Sequence, residues 1–134
     1  MGGAARLKLL LDTHIWLWAY LEPKRLRPHL LRELRNPANE LWLSPISTWE
    51  ALTLQAKGKI QLPNDIERWL HQATLPLREA PLTHEIALAA SRLSLHPDPA
   101  DRFLAATAQV LDLVLATADQ RLLGVAEVRT LGNR

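Results

Sequence analysis

Three times along this chain a short apolar run leads straight into a helix start. Residues 7–11 (LKLLL) precede Asp12-Thr13, residues 41–43 (LWL) precede Ser44-Pro45, and residues 113–116 (LVLA) precede Thr117-Ala118-Asp119. Apolar runs of this length, bounded by such residues, read as strands buried on both faces. Ser, Thr or Asp at the boundary, with Pro at the first helical position, reads as a helix N-terminus. Strands that alternate with helices pair in parallel through right-handed crossovers. The expected fold class is therefore α/β, a three-layer α/β/α sandwich on a four- or five-stranded parallel sheet. The 134 residues suit one domain, residues 1–134, with a core at about 7–131.

The remaining segments fit this frame. A helix from Asp12-Thr13 runs through residues 15–21 to Pro23, and a second opens at Pro28 and stops at Asn36-Pro37. The helix from Ser44 runs to about Lys57, with Gly58 as its stop. Asn64 and Glu67 have capping-box spacing ahead of Trp69 and Leu70. Residues 75–79 read as a strand that Pro76 confines to an edge or a strand start. Residues 83–93 place Ile86, Ala89, Ala90 and Leu93 on one helical face. Asp98-Pro99 opens a helix with Phe103, Leu104, Thr107, Ala108 and Leu111 inward. A short helix after Asp119 ends near Gly124, and residues 127–131 read as a last strand. Met1 to Ala4 read as a loose start.

Composition narrows the chemistry. With no cysteine, the chain has no disulfide, no thiolate catalyst and no Cys-based zinc site. The five histidines (His14, His29, His71, His84, His96) show no metal-binding spacing such as H-E-x-x-H. No apolar run approaches the ~20 residues of a membrane span, and no charged-then-apolar leader pattern is present, so the chain reads as cytoplasmic without membrane association. The net charge is +2 with twelve Arg against four Lys, a bias that suits an anionic partner. Arg25, Arg27, Arg32 and Arg35 follow one another along one segment and read either as a solvated face or as a strip that steers phosphates.

The acids carry the strongest functional signal. Ligands of an open parallel sheet bind beyond the carboxyl ends of its strands. Asp12 and Asp119 directly follow strands, Glu50 lies in the second turn of a helix that leaves a strand, and Asp101 lies in the first turn of another helix. Each has a plain structural reading as a cap, a dipole partner or a solvated residue. Capping, however, predicts acids at helix starts anywhere, not at nearly every exit of one sheet edge. Two carboxylates ~4 Å apart repel by ~4 kcal/mol at an effective dielectric of 20. A cluster of four therefore needs protons or cations. All-oxygen donors without sulfur suit Mg²⁺ or Mn²⁺, which can activate water and stabilise a phosphodiester transition state. Asp12 would then end its buried strand because the strand holds it rigidly at a metal.

The stretches LLLDTHIWLW, SPISTWEALTLQAKGKI, HPDPADRFLAATA and LATADQRL resemble, in order, the motifs of PIN-domain proteins, and most nearly those of VapC-type toxins of prokaryotic toxin–antitoxin pairs. The resemblance covers residues 7–131. It implies an α/β/α fold, a Mg²⁺- or Mn²⁺-dependent endoribonuclease acting on RNA, a homodimer, and neutralisation by a small cognate, VapB-like antitoxin. It assigns the metal-binding, catalytic acids to Asp12, Glu50, Asp101 and Asp119. It also places Thr13, Ser47 and Thr117 as polar neighbours that orient carboxylates or water, with helix capping as their structural alternative. Arg102, beside Asp101, reads as a phosphate contact or an acid-orienting pair. Within HPDPADR, Asp98 reads as the cap and Asp101 as the functional acid.

Other readings are weaker. A receiver- or phosphatase-like domain would want a lysine at a late strand exit, and Lys8, Lys24, Lys57 and Lys59 offer none. A non-catalytic RNA-binding module that keeps the acids for metal-dependent binding is the main alternative. Trp16, Trp18 and Tyr20 face more than one side of their helix, which suggests an apolar partner groove or dimer seam alongside core packing.

Overall fold

The computed structural model describes residues 6–94 and 98–134. The loose start at Met1 to Ala4 and His96 lie outside the described residues. The strands are β1 (Lys8–Leu11), β2 (Glu40–Leu43), β3 (Arg78–Glu79), β4 (Val114–Thr117) and β5 (Thr130–Gly132). The helices are α1 (Thr13–Leu21), α2 (Pro28–Arg35), α3 (Pro45–Ala56), α4 (Ile66–Thr74), α5 (His84–Arg92), α6 (Pro99–Val110) and α7 (Gln120–Leu123), with a 3₁₀ turn at Pro23–Arg25.

All neighbouring strands pair in parallel, in the order β3-β2-β1-β4-β5. The chain first builds outward from β1 to β2 and β3, then returns to the other side of β1 for β4 and β5. The order therefore reverses between β1 and β4, and a crevice opens at their carboxyl ends. The register aligns Leu9, Leu10 and Leu11 with Val114, Leu115 and Ala116. As the central strand, β1 is covered on both faces, which explains why its sequence is apolar without alternation.

The pleat divides the core in two. Leu10 and Leu115 face a cluster with Ile86 and Ala90 of α5, Leu104 and Ala108 of α6, and Leu122 of α7. Leu9, Leu11 and Ala116 face the opposite cluster, with Ile15 and Trp16 of α1, Leu30 of α2 and Ala73 of α4. Helices thus cover both faces of the sheet, giving the expected three layers.

Three local expectations change. The α4 cap is Asp65, not Asn64; its Oδ1 accepts from the Arg68 backbone N–H at 3.2 Å. The 75–79 strand shrinks to the two residues of edge strand β3, because Leu75 continues α4 as its helical C-cap. The last strand begins at Thr130, three residues later than expected, after a turn in which Val128 N–H bonds the Val125 carbonyl. The α3 stop is as expected: Gly58 takes φ +72°, which L side chains rarely adopt.

Candidate active site

Asp12 leaves β1 with its backbone N–H bonded to the Ala116 carbonyl of β4 at 2.9 Å, so the sheet itself fixes its position. Its side chain then does two jobs. Oδ1 caps α1 by accepting from Thr13 N–H at 2.8 Å, and Oδ2 accepts from the Thr117 hydroxyl at 2.6 Å. Burial nevertheless raises its pKa, with the Asp119 charge adding to the rise and the Thr117 and Thr13 bonds and His14 opposing it.

Glu50 faces the same crevice from α3, where Ser44 caps the helix and Pro45 fills its first position. Burial raises the Glu50 pKa, the Thr13 side chain opposes this, and the Asp12 charge adds to it. The Thr13 and Ser47 hydroxyl oxygens are 2.9 Å apart. Thr13, Ser47 and Thr117 are all fully buried, so their hydroxyls need partners inside the protein. Thr117 also accepts from Asp119 N–H at 3.0 Å, which links the ends of β1 and β4 through one hydroxyl.

Asp101 comes from the first turn of α6 and is 8% exposed. Its backbone N–H is bonded to Asp98 Oδ1 at 3.1 Å, so Asp98 is the α6 cap as its place before Pro99 implies. Burial first, then the charges of Asp98, Asp12, Asp119 and Glu50, push the Asp101 carboxyl up to about 7. Asp119 caps α7 through Oδ1 and the Arg121 N–H at 2.9 Å. The Arg121 guanidinium lies 3.1 Å from Asp119 Oδ2 and 3.7 Å from Asp101 Oδ2.

These side chains line one cleft of about 910 Å³ that holds Asp12, Glu50, Asp101 and Asp119 together. The sequence reading missed two features of it. Asp98, besides being a cap, and Glu22 are further acids of the cleft, and Lys59 and Arg121 join Arg25 in supplying positive charge on its walls. Asp98 was legible only as a cap because its second role depends on where α6 docks. His14 also lines the cleft, on the acid side of α1.

Arg102 does not take the place expected of it. Its Nη1 donates to the Ala90 and Leu93 carbonyls at 2.7 and 3.2 Å, tying α6 to the end of α5. One residue along a helix is a rotation of ~100°, so Arg102 points to α5 where Asp101 points to the cleft. The arginine segment also splits. Arg25 stacks over Trp18 at 4.4 Å inside the cleft, while Arg32 and Arg35 line a separate hollow with Pro28 and Leu31. Of the three α1 aromatics, Trp16 is core, donating to the Ala73 carbonyl at 3.0 Å against Trp69. Trp18 is a cleft wall, and Tyr20 is exposed.

The acids suit a hard divalent cation by donor chemistry. They are all carboxylates, and three of them have raised pKa values, so a positive charge among them would be strongly favoured. They share the cleft without being closed around one point: among the described residues no three acids or histidines form a ready-made ligand set. Among those residues, too, no helix is long and apolar enough to cross a membrane.

Comparison with known proteins places this geometry. Residues 9–128 match the PIN domain. The chain is 35% identical over 116 residues to Ribonuclease VapC22 of Mycobacterium tuberculosis, across 85% of this chain and 88% of that protein. Among solved structures, DNA-bound VapBC from Salmonella typhimurium superposes with a TM-score of 0.71 at 18% identity, covering 96% of this chain and 99% of that one. A toxin–antitoxin complex from Klebsiella pneumoniae gives a TM-score of 0.67 at 18% identity, covering 94% and 98%.

Proposed function

The chain belongs to the PIN-domain family, and on that premise we propose that it is a Mg²⁺- or Mn²⁺-dependent endoribonuclease of the VapC toxin type, neutralised by a small VapB-like antitoxin. One observation carries the reading: acids from the ends of β1 and β4, from the second turn of α3 and from the first turn of α6 meet in one cleft, where burial and their charges hold Asp101 at about 7. In this reading Asp12, Glu50, Asp101 and Asp119 hold the cation. When bound, the cation supplies acidified water and charge stabilisation for phosphodiester hydrolysis.

The chain's own residues do the rest. Thr117 and Thr13 fix both oxygens of Asp12, and Thr117 fixes the approach of Asp119. Asp101, half protonated near neutral pH, releases its proton as positive charge enters the cleft. Lys59 and Arg25, which line the same cleft, draw in an RNA backbone. The antitoxin and homodimer belong to the same proposal. Their support is the toxin–antitoxin relatives and the exposed apolar side chains of α3, where Trp49 is 59% exposed.

The test is purified protein on a defined RNA pool with Mg²⁺, Mn²⁺ or chelator, followed by end mapping. Cleavage that needs the cation and disappears in Asp12→Asn and Asp119→Asn is expected. Chelator-resistant cleavage would refute the mechanism. Cation-dependent RNA binding without cleavage would move the chain to the non-catalytic reading. Co-expression with the product of a small adjacent open reading frame, followed by sedimentation, tests the antitoxin and the dimer.

A further inference from the structure

Arg121 places a positive charge among the acids, and its geometry is that of a temporary occupant. Its Nε and Nη2 meet Asp119 Oδ1 and Oδ2 at 3.3 and 3.1 Å, and the same Nη2 reaches Asp101 Oδ2 at 3.7 Å. One guanidinium nitrogen thus lies between the carboxylates of α6 and α7. The Arg121 side chain is 62% exposed, whereas those of Asp101 and Asp119 are 12% and 25% exposed. The acids are set in the protein, and the cation that bridges them comes from the solvent side on a flexible stem. Asp119 does not depend on this side chain for its position, because Oδ1 also accepts from the Arg121 backbone N–H and Thr117 holds the Asp119 backbone.

We infer that Arg121 is an exchangeable internal counter-ion: its guanidinium bridges Asp101 and Asp119 in the metal-free protein and leaves when a divalent cation takes the same carboxylate oxygens. The inference rests on the proposed cation-dependent reading of the cleft. A guanidinium and a divalent cation compete for those oxygens, because like charges a few ångströms apart repel. The displaced side chain stays tethered at the cleft mouth, where its fork of donors suits an RNA phosphate. Arg121 therefore acts on the cation through Asp101 and Asp119 and is a positioning residue. It offsets the charge of the acids before loading, weakens cation binding by competition, and couples loading to substrate contact.

Two measurements on the full chain test this. Free Mn²⁺ followed by electron paramagnetic resonance gives the cation affinity of the wild type, Arg121→Ala, Arg121→Lys and Asp101→Asn. Arg121→Ala should bind Mn²⁺ about fivefold more tightly, the worth of an exposed ion pair, and Arg121→Lys should stay near the wild type. Asp101→Asn should bind much more weakly. In a Mg²⁺ titration by ¹⁵N NMR, the Arg121 Nε–H resonance should move to a solvent-exposed position and exchange faster. Equal or weaker Mn²⁺ binding by Arg121→Ala, with binding still lost in Asp101→Asn, would overturn the counter-ion role and leave the cation site standing. Undiminished binding in Asp101→Asn would refute the cation site. An Arg121 resonance unmoved by saturating Mg²⁺ would overturn the exchange directly.

Discussion

Replacing Asp101 by asparagine keeps the shape of the side chain and removes one charge from the cleft, so it should stabilise the metal-free protein while destroying its activity. The magnitude follows from the cleft. Burial and four neighbouring acids move the Asp101 carboxyl from the ordinary 3.8 to about 7. A gap of about three, at about 1.36 kcal/mol for each, is ~4 kcal/mol of strain in the ionised folded state. Turning the carboxyl toward solvent and toward Arg121 relieves part of it, leaving about 2–4 kcal/mol.

The sign depends on pH. The folded state holds the Asp101 proton more tightly than the unfolded chain, so stability falls as pH rises between the two values. Below about pH 3 Asp101 is neutral in both states and the variant should match the wild type. Between about pH 4 and 7 the variant should gain steadily, and above about pH 7 the gain should be complete. Urea unfolding in chelator at pH 4, 6 and 8, followed by tryptophan fluorescence, reads this directly. A variant no more stable than the wild type at pH 8, or a difference that does not change with pH, would refute the crowding argument. Adding Mn²⁺ should reverse the ranking, because the wild type gains a ligand it can bind and the variant does not.

Other substitutions separate structural from chemical roles. Asp98→Ala removes the α6 cap and should cost ~0.5–2 kcal/mol at pH 5, less at pH 8 where it also relieves Asp101, with much of the cleavage rate kept; thermal melts and cleavage assays at both pH values check it. Thr117→Val removes the donor to Asp12 and the acceptor for Asp119 N–H. It should cost about 1–3 kcal/mol and raise the Asp12 pKa further, read by urea unfolding and by carboxyl NMR titration. Arg102→Ala frees the Ala90 and Leu93 carbonyls from their guanidinium donor, and should cost about 1–3 kcal/mol while preserving the cleavage rate per folded molecule; a large loss of rate at full folding would return Arg102 to the cleft.

Local physics made much of this protein legible. The apolar run of β1 is unbroken because a central parallel strand has two buried faces, and Asp12, Ser44, Asp98 and Asp119 mark helix starts because their side-chain oxygens satisfy the first free N–H groups. Those signals set the strand–helix alternation, and with it the edge of the sheet on which Asp12, Glu50, Asp101 and Asp119 emerge. Position around a helix and docking between helices are different matters. The 75–79 segment kept only Arg78 and Glu79 as strand because Leu75 stays helical at the end of α4 and the Leu77 N–H turns back to the Thr74 carbonyl, leaving only those two to pair with Trp42 and Leu43. Arg102 turned to the carbonyls of α5, while Arg121, separated from Asp101 by the whole of α6 and β4, came round to Asp101 instead. The raised Asp101 pKa is only partly local: burial comes first and the neighbouring Asp98 next, but the other charges that produce it arrive from β1, the start of α7 and α3. Periodicity and capping act over a few residues and can be read along the chain. Burial and Coulomb repulsion act across space, and only the reversal of strand order between β1 and β4 brought these charges within each other's reach.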